Sequence, residues 1–441
     1  MGSAVFKGGV HPDYHKELTA TMAVMPMKAP STVVIPLQQH IGAPCEPLDG
    51  IEVGAQVKKG QKIADSSGFV SAPIHASVSG TIKAIGPYDH PLGRPVTAIT
   101  IESDGQDAWD ESIKPAGNIE SLTPEDLRKI IREAGIVGLG GATFPAHVKL
   151  SPPPEKKIDY VVINGAECEP YLTADHRVML EMPEEIVYGL KVMIKALGAE
   201  KGVIGIEDNK ADAIKVMEQA ISGEDNLSVA HLHTKYPQGA EKMLIQVTTG
   251  RKVPSGGLPL DIGVVNHNVG TAVAITKAIR EGKPLIERVV TVTGAGVNKP
   301  SNLLVRVGTL VSEVIEACGG LKENTRKLIT GGPMMGMAQP HANIPVIKGT
   351  SGILALTDED VYISESSPCI RCAKCVDGCP VQLLPVSIAQ ASENGLFRKA
   401  EKLHAMDCFE CGCCSYVCPS KIPLTQWIRI AKAEIAKANK K

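Results

Sequence analysis

Two runs of cysteine near the C-terminal end constrain the fold of this chain more than any other feature. The first reads CIRCAKCVDGCP, from Cys369 to Pro380, and the second reads CFECGCCSYVCP, from Cys408 to Pro419. In each run four cysteines follow the spacing x2, x2, x3 and a proline comes next, as in ferredoxins with two [4Fe–4S] clusters. The runs therefore predict a helical C-terminal unit built around two iron–sulfur clusters.

The spacing also predicts which cysteines bind each cluster, because the fourth cysteine of a run ligates the cluster of the other run. The two expected ligand sets are Cys369, Cys372, Cys375 and Cys418 for one cluster, and Cys379, Cys408, Cys411 and Cys414 for the other. A pair of zinc sites is the alternative, but zinc requires neither the proline nor the exchanged ligand. Cys413 lies outside the register and is expected to be an unligated neighbour, with a ligand swap as the alternative. The isolated Cys45, Cys168 and Cys318 are expected to be small buried side chains.

Composition excludes several functional classes. The 441 residues suggest roughly three domains, and the formal net charge of −2 with 3% aromatic residues argues against binding of nucleic acid. We expect no signal peptide, because the first residues lack an apolar region, and no membrane span, because no apolar run reaches about 18 residues. Nine of the twelve cysteines lie in the two runs, which indicates metal ligands rather than disulfides.

The pattern ahead of the cysteines predicts a multidomain α/β protein. Residues 31–101 contain short β-like segments separated by Gly and Pro. A helix is predicted from Thr123 as N-cap to Gly135, and alternating strands and helices follow, including helices at 175–197 and 210–221, which indicates a parallel sheet. The expected units are a β module over 1–118, an α/β domain over 119–286, a small α+β unit over 287–345 and a helical cluster domain over 346–441.

Two segments of the α/β domain suggest a nucleotide site. In GIVGLGGATFPAHVKL the glycines 138, 140 and 141 permit close approach to a phosphate, and Lys149 adds positive charge; an ordinary tight turn is the alternative. In VVINGAECEPYLTADHR a strand ends in Asn164 and Gly165 and presents Glu167 and Glu169 at the carboxyl edge of the sheet, where α/β proteins bind ligands. Glutamates that only face solvent are the alternative here.

These two segments resemble the flavin-binding loop and the nicotinamide-binding segment of the flavoprotein subunit of respiratory complex I. Together with FKGGVHP near the start and the two ferredoxin runs, the whole chain resembles the C subunit of the bacterial Rnf complex. The resemblance implies one non-covalent FMN, two [4Fe–4S] clusters and reversible electron transfer with NADH. This agrees with the chemistry, because NADH gives two electrons as hydride, a cubane cluster accepts one, and a flavin does both.

The resemblance also implies roles for individual residues. The FMN phosphate would be held by Gly138, Gly140, Gly141 and Lys149, and Asn164 would lie beside the flavin, with Asn268 and Thr271 of NHNVGTA as further candidates. NADH would be held by Phe144 and Glu167, with Glu169 a further candidate. Tyr236 and Glu241 of KYPQGAEKMLI match a segment of the complex I subunit, whereas Ala240 and His267 depart from its Glu and Asn.

The remaining segments are assigned by resemblance too. The N-terminal β region is similar to a biotinyl/lipoyl-type barrel-sandwich domain, but ADSSGFV carries no lysine for attachment, so we expect a structural and docking module. Residues 287–340 are similar to the β-grasp domain of the complex I subunit. The basic C-terminal end is expected to be a solvated helix face.

Three hypotheses for function remain at this point. The first is a peripheral, NADH-oxidising subunit of an Rnf complex on the cytoplasmic side of the membrane, which exchanges electrons with the ferredoxin-accepting B subunit while membrane subunits carry the ion. The second is a cobalamin reductase, which shares the same layout. The third is an electron wire or scaffold with a vestigial nucleotide site, suggested by Ala240 and His267.

Overall fold

The chain is described by a computed structural model over residues 5–361 and 365–439. Its first strand, β1 (Val24–Pro26), pairs with a sheet much further along the chain, and the rest of the first unit forms two small sheets. Their strands are β2 (Thr32–Pro36), β3 (Glu46–Pro47), β4 (Gln56–Val57), β5 (Lys62–Asp65), β6 (Ile74–His75), β7 (Gly80–Tyr88) and β8 (Val96–Ser103).

The two sheets are antiparallel, with orders β2-β8-β7-β4 and β3-β5-β6. Alternate residues point inward, so that Val33 and Ile35 of β2 pack against Ile99 and Ile101 of β8 in a fully buried core. This is the compact all-β module that the Gly- and Pro-punctuated pattern predicts.

The second unit is an α/β domain with a four-stranded parallel sheet of order β11-β10-β9-β12. Its elements are α1 (Pro124–Glu133), α2 (Ala146–Lys149), β9 (Tyr160–Gly165), α3 (Ala174–Glu181), α4 (Pro183–Leu197), β10 (Lys201–Glu207), α5 (Ala211–Ala220), β11 (Leu227–Leu232), α6 (Glu241–Thr249), β12 (Val264–Asn268) and α7 (Val269–Glu281). Short 3-10 turns occur at Ile119–Ser121, Asp208–Lys210, Pro259–Ile262 and, later in the chain, Ala405–Asp407.

Local sequence signals define where these helices begin and end. Thr123 forms a capping box with Asp126, as the predicted N-cap requires. The predicted helix over 175–197 is in fact two helices, because Pro183 has no amide hydrogen to donate and begins α4 at its first turn.

The third unit is a six-stranded mixed sheet of order β1-β14-β13-β17-β15-β16. Its further elements are β13 (Glu287–Thr293), β14 (Ser301–Arg306), α8 (Val311–Ala317), β15 (Thr325–Thr330), β16 (Met337–Gln339) and β17 (Gly352–Thr357). The structure differs here from the predicted boundary between 287–345 and 346–441, because the buried strand β17 lies between β13 and β15. Strand β1 likewise extends this sheet, although it falls within the predicted 1–118 module.

The last unit is helical and contains both cysteine runs. Its helices are α9 (Lys374–Asp377), α10 (Pro385–Glu393), α11 (Phe397–Lys402), α12 (Cys413–Tyr416) and α13 (Leu424–Asn439). Ile388 of α10 packs against Ile428 and Ile435 of α13 to form its core. Across residues 5–361 and 365–439 no helix combines the length and the apolar character that a bilayer span requires.

Candidate functional site

The glycine loop between α1 and α2 is closed on itself and bound to the start of α7. The Gly138 amide donates to the Phe144 carbonyl at 2.9 Å, and the Leu139 amide donates to the Thr271 hydroxyl at 3.0 Å. Gly141 has a φ of +111° and its side-chain position faces open space. This backbone conformation is one that L side chains rarely adopt, so glycine is needed here and the loop is left uncovered.

Two asparagines lie side by side near the carboxyl ends of β9 and β12. Asn164 and Asn268 are register partners in the parallel sheet. The Asn164 amide donates to the Gly239 carbonyl at 2.8 Å, while Asn268 is the N-cap of α7 and accepts from the Gly270 amide at 2.8 Å. Because a side-chain carbon on Gly140 would lie 3.5 Å from Asn268, the structure brings the loop, both asparagines and Thr271 to one edge of the sheet.

Lys149 and Glu241 face each other on the same side of the domain. The Lys149 ammonium donates to the Glu241 carboxylate at 2.5 Å and to the Asn266 carbonyl at 3.1 Å. The neighbouring His267 is buried, and its Nε2 atom has no hydrogen-bond partner among the described residues. Burial, together with the Lys149 charge, lowers the pKa of His267 to about 3, so its ring is neutral at physiological pH.

These features fit a phosphorylated planar cofactor. The open glycine loop offers close backbone approach, Lys149 offers a positive charge, and the His267 nitrogen is a buried polar atom left unpaired. Such a set at the carboxyl edge of a parallel sheet is where α/β proteins bind nucleotides. Contact of these residues with FMN remains a prediction.

Glu167 caps a helix in the structure. It adopts a φ of +45°, and its carboxylate accepts from the amides of Asp175 at 2.7 Å and His176 at 3.1 Å, at the start of α3. A carboxylate at a helix N-terminus satisfies orphan donors and complements the helix dipole. The left-handed backbone of a non-glycine residue costs about 1–3 kcal/mol, so the surroundings must hold this loop in place. The predicted contact of Glu167 with NADH is untested and stays a prediction.

Glu169 and Tyr236 lie at the junction with the third unit and the cluster domain. The Glu169 carboxylate accepts from the amides of Met334 at 3.0 Å and Met335 at 2.9 Å, and burial raises its pKa to about 7. Tyr236 is fully buried and its hydroxyl donates to the Cys411 carbonyl at 2.8 Å. Both side chains therefore make hydrogen bonds to other parts of the protein. Phe144 is half-buried at the end of the glycine loop.

The two cysteine runs fold alike. In the first, the Arg371 amide donates to the Cys369 sulfur at 3.4 Å, and in the second the Glu410 amide donates to the Cys408 sulfur at 3.4 Å. Three pairs of residues at matching positions have left-handed backbones: Arg371 and Glu410, Ala373 and Gly412, Gln382 and Lys421. Amide donors aimed at sulfur favour thiolates, which are the ligands of iron–sulfur clusters.

Members of each set that the spacing predicts lie near one another. Cys379, Cys408, Cys411 and Cys414 line one cavity, together with Cys413. In the other set, burial raises the pKa of Cys375, and the nearby thiols of Cys418 and Cys369 raise it further. Cys372 is exposed. These all-cysteine donor sets fit [4Fe–4S] clusters, and ligation by each cysteine stays a prediction.

The other cysteines are buried and free of disulfides. Cys413 packs with Tyr236 and Cys168 in one apolar cluster, and the Cys168 sulfur accepts from the Gly239 amide at 3.2 Å. Cys45 lies in the core of the β module and Cys318 in that of the third unit.

Two polar residues close to the site were not expected from the sequence. Asp175 accepts from the Asn268 amide at 2.6 Å, and burial, with the Glu167 charge, raises its pKa to about 7. Lys16, far away in sequence, donates to carbonyls of the loop after β9. The position of Asp175 in TADHR is a signal that could have found it, whereas no local pattern distinguishes Lys16.

A glycine loop at the edge of a parallel sheet, joined to a domain with two ferredoxin cysteine runs, defines a flavin- and iron–sulfur-containing electron-transfer protein. Family models match the chain in the same order: the RnfC barrel sandwich hybrid domain over residues 4–106, the Nuo51 FMN-binding domain over 131–277, the SLBB domain over 289–338 and the 4Fe-4S dicluster domain over 368–422. The predicted fold class, FMN and two [4Fe–4S] clusters are thereby confirmed.

Curated relatives cover almost the whole chain. The C subunit of the Na(+)-translocating ferredoxin:NAD(+) oxidoreductase complex of Acetobacterium woodii is 51% identical over 99% of this chain and 98% of its own length. The proton-translocating counterpart of Clostridium ljungdahlii is 51% identical over 97% and 93%, and the C subunit of the ion-translocating oxidoreductase complex of Rhodobacter capsulatus is 44% identical over 99% and 84%. This chain belongs to the family of Rnf complex C subunits, so the predicted electron-transfer oxidoreductase subunit is confirmed.

Proposed function

We propose that this chain exchanges electrons with NADH at the sheet edge and passes them through its two cysteine runs to other subunits of an Rnf complex. Bound FMN exchanges two electrons with NADH and single electrons with a cluster, which are the two kinds of chemistry the pathway must join. The supporting observation is structural continuity: the segment that ends in Gly239, beside Asn164, also carries Tyr236, whose hydroxyl donates to the Cys411 carbonyl at 2.8 Å.

At the sheet edge the glycines 138, 140 and 141, Lys149, Asn164, Asn268 and Thr271 would hold the FMN. Lys149 supplies positive charge for a phosphate, and the asparagines are fixed by their own hydrogen bonds, so little reorganisation is needed on binding. Phe144 and Glu167, with Glu169 and Glu241 as further candidates, would hold or orient NADH.

Electrons would pass through the two clusters in a fixed order. The second run contacts the flavin domain directly, because Cys411 receives the Tyr236 hydroxyl and Cys413 packs on Tyr236. The first run reaches the surface at its start, where Cys372 is exposed and Ile370 is 67% exposed, while its later cysteines are buried. We therefore assign the cluster of Cys379, Cys408, Cys411 and Cys414 as proximal to the flavin, and that of Cys369, Cys372, Cys375 and Cys418 as distal.

The distal cluster would pass electrons to a ferredoxin-type partner, the B subunit, while membrane subunits would transport the ion. The names of the relatives support a complex of this kind. Two relatives that are each 51% identical to this chain are named for different ions, one for Na(+) and one for the proton. This supports the proposal that other subunits determine which ion is transported. A peripheral position on the cytoplasmic side belongs to the same proposal.

An anaerobic NADH titration of the isolated protein tests the proposal, after iron and flavin have been quantified. We expect bleaching of the flavin band together with a fall in the broad iron–sulfur absorbance. Protein that contains iron and flavin but whose spectrum does not respond to NADH would contradict the proposal.

A further inference from the structure

Residues 6–19, which we call the N-terminal strap, lie between the two redox regions. The Gly9 amide donates to the Gly378 carbonyl at 3.0 Å, and Val10 and Tyr236 exchange two backbone hydrogen bonds of 2.8 and 2.9 Å. A side-chain carbon on Gly8 would lie only 2.6 Å from the Cys379 carbonyl oxygen. The strap thus touches both the flavin domain and the loop that carries a predicted proximal-cluster ligand.

Further along the strap, Lys16 points into the loop that follows β9. Its ammonium donates to the carbonyl oxygens of Glu167 at 2.9 Å, Glu169 at 3.0 Å and Leu172 at 2.5 Å. An ammonium has three donors and no acceptor. All three donors of Lys16 are therefore used on the backbone of one loop, the loop that holds the candidate NADH residues.

This loop needs an external support. Glu167 and Tyr171 have φ values of +45° and +68°, so the loop contains two left-handed non-glycine residues. Other residues of the strap also contact this segment: the Tyr171 amide donates to the Tyr14 carbonyl at 2.7 Å, and the Thr19 and Thr173 hydroxyls are 2.7 Å apart.

We propose that Lys16 is a positioning residue for the reaction with NADH. Its ammonium fixes the backbone of residues 167–172, and with it the Glu167 carboxylate, in the arrangement that receives the nicotinamide nucleotide. Lys16 does not touch the nucleotide itself. This inference rests on the proposed function, and it adds that a segment more than 150 residues away in sequence completes the nucleotide site.

The test compares Lys16→Met with Lys7→Met in the full chain loaded with FMN and iron. Methionine keeps most of the length of the Lys16 stem but none of its donors, whereas Lys7 is an exposed lysine of the same strap. With ferricyanide as acceptor we expect Lys16→Met to raise the KM for NADH about tenfold, as the loss of charge-assisted hydrogen bonds would, with little change in kcat, FMN or iron. Lys7→Met should match the wild type.

An unchanged KM in Lys16→Met that retains FMN and iron would overturn the inference. Wild-type protein that does not oxidise NADH would instead overturn the proposed function, so the two failures are distinguishable. If Lys16→Met loses its cofactors, hydrogen–deuterium exchange of the wild type decides: NADH should protect residues 14–19 and 167–172 together, and protection of only the second segment, or of neither, would contradict the role of Lys16.

Discussion

The two cysteine runs have the same spacing and the same backbone, yet their surroundings differ sharply. In the first run Cys372 is exposed and Ile370, beside Cys369, is 67% exposed. In the second run Cys413 is completely buried, and Cys411 lies under Tyr236 of the flavin domain. The spacing thus defines the kind of cluster, whereas the surroundings define its position in an electron pathway.

The difference has physical consequences for the clusters themselves. Solvent exposure and hydrogen bonds to sulfur set the reduction potential of a [4Fe–4S] cluster. The amide-to-sulfur bonds at Cys369 and Cys408 are equal at 3.4 Å. The predicted proximal set also has the Leu383 amide donating to the Cys379 sulfur at 3.3 Å and the Thr425 hydroxyl 3.6 Å from the Cys414 sulfur. With the exposure of Cys372, these contacts lead us to expect that the two clusters differ in potential and in accessibility to partners.

Serine substitution in each run is expected to have the largest effect and tests the comparison directly. Cys411→Ser and Cys372→Ser each remove a predicted ligand, so each variant should lose about half of its iron. Only Cys411→Ser should prevent NADH from reducing the remaining cluster, because only it removes the cluster next to the flavin domain. Electron paramagnetic resonance of NADH-reduced protein, with dithionite reduction as the control, measures this difference.

The order of the clusters would be wrong if Cys372→Ser, and not Cys411→Ser, blocked reduction of the remaining cluster by NADH. Equal blocking in both variants would indicate instead that the two clusters depend on each other for assembly. Iron content, measured first, distinguishes that case, because mutual dependence would remove nearly all the iron.

Local patterns in the sequence predicted the parts of this structure that depend on neighbours in sequence. The Thr123 cap and the parallel strand over Asn164 and Gly165 follow from short-range signals, and so does the grouping of Cys379, Cys408, Cys411 and Cys414 around one cavity. The rest depends on contacts across the chain: β17 joins a sheet beyond the predicted boundary, and Lys16 binds carbonyls more than 150 residues away. Such contacts leave no periodicity or spacing, so a single sequence does not reveal them.

Substitution at Gly8 should have an intermediate effect and sharpens the contrast between the proximal and the distal cluster. Gly8 and Gly50 both have left-handed backbones, with φ values of +78° and +80°, but only Gly8 meets another atom, the Cys379 carbonyl oxygen. Alanine costs about 1–2 kcal/mol at either position for the backbone, and at Gly8 overpacking adds about 1–3 kcal/mol more. Gly8→Ala should therefore release iron from the proximal cluster faster than Gly50→Ala.

Chelator-driven loss of iron–sulfur absorbance, followed over time at one temperature, measures that rate. Electron paramagnetic resonance of partly depleted Gly8→Ala protein should show that the proximal signal disappears first. Equal rates in the two alanine variants would mean that the strap does not support the proximal cluster.

The smallest expected effect concerns the pH dependence of the same buried junction. Burial raises the pKa of Glu169 from 4.5 to about 7, so the folded protein holds this proton more tightly than the unfolded chain. The stabilisation is complete below pH 4.5 and is lost as the pH rises through about 7, at about 1.4 kcal/mol per pKa unit. Glu169→Gln keeps a neutral side chain at every pH, so its melting temperature relative to the wild type should rise by a few degrees between about pH 5 and pH 8. Thermal unfolding of the loaded protein measures this shift, and Glu359→Gln, at an exposed position, is the control. If the difference in melting temperature between Glu169→Gln and the wild type does not change with pH, the Glu169 carboxyl is not held neutral at the junction.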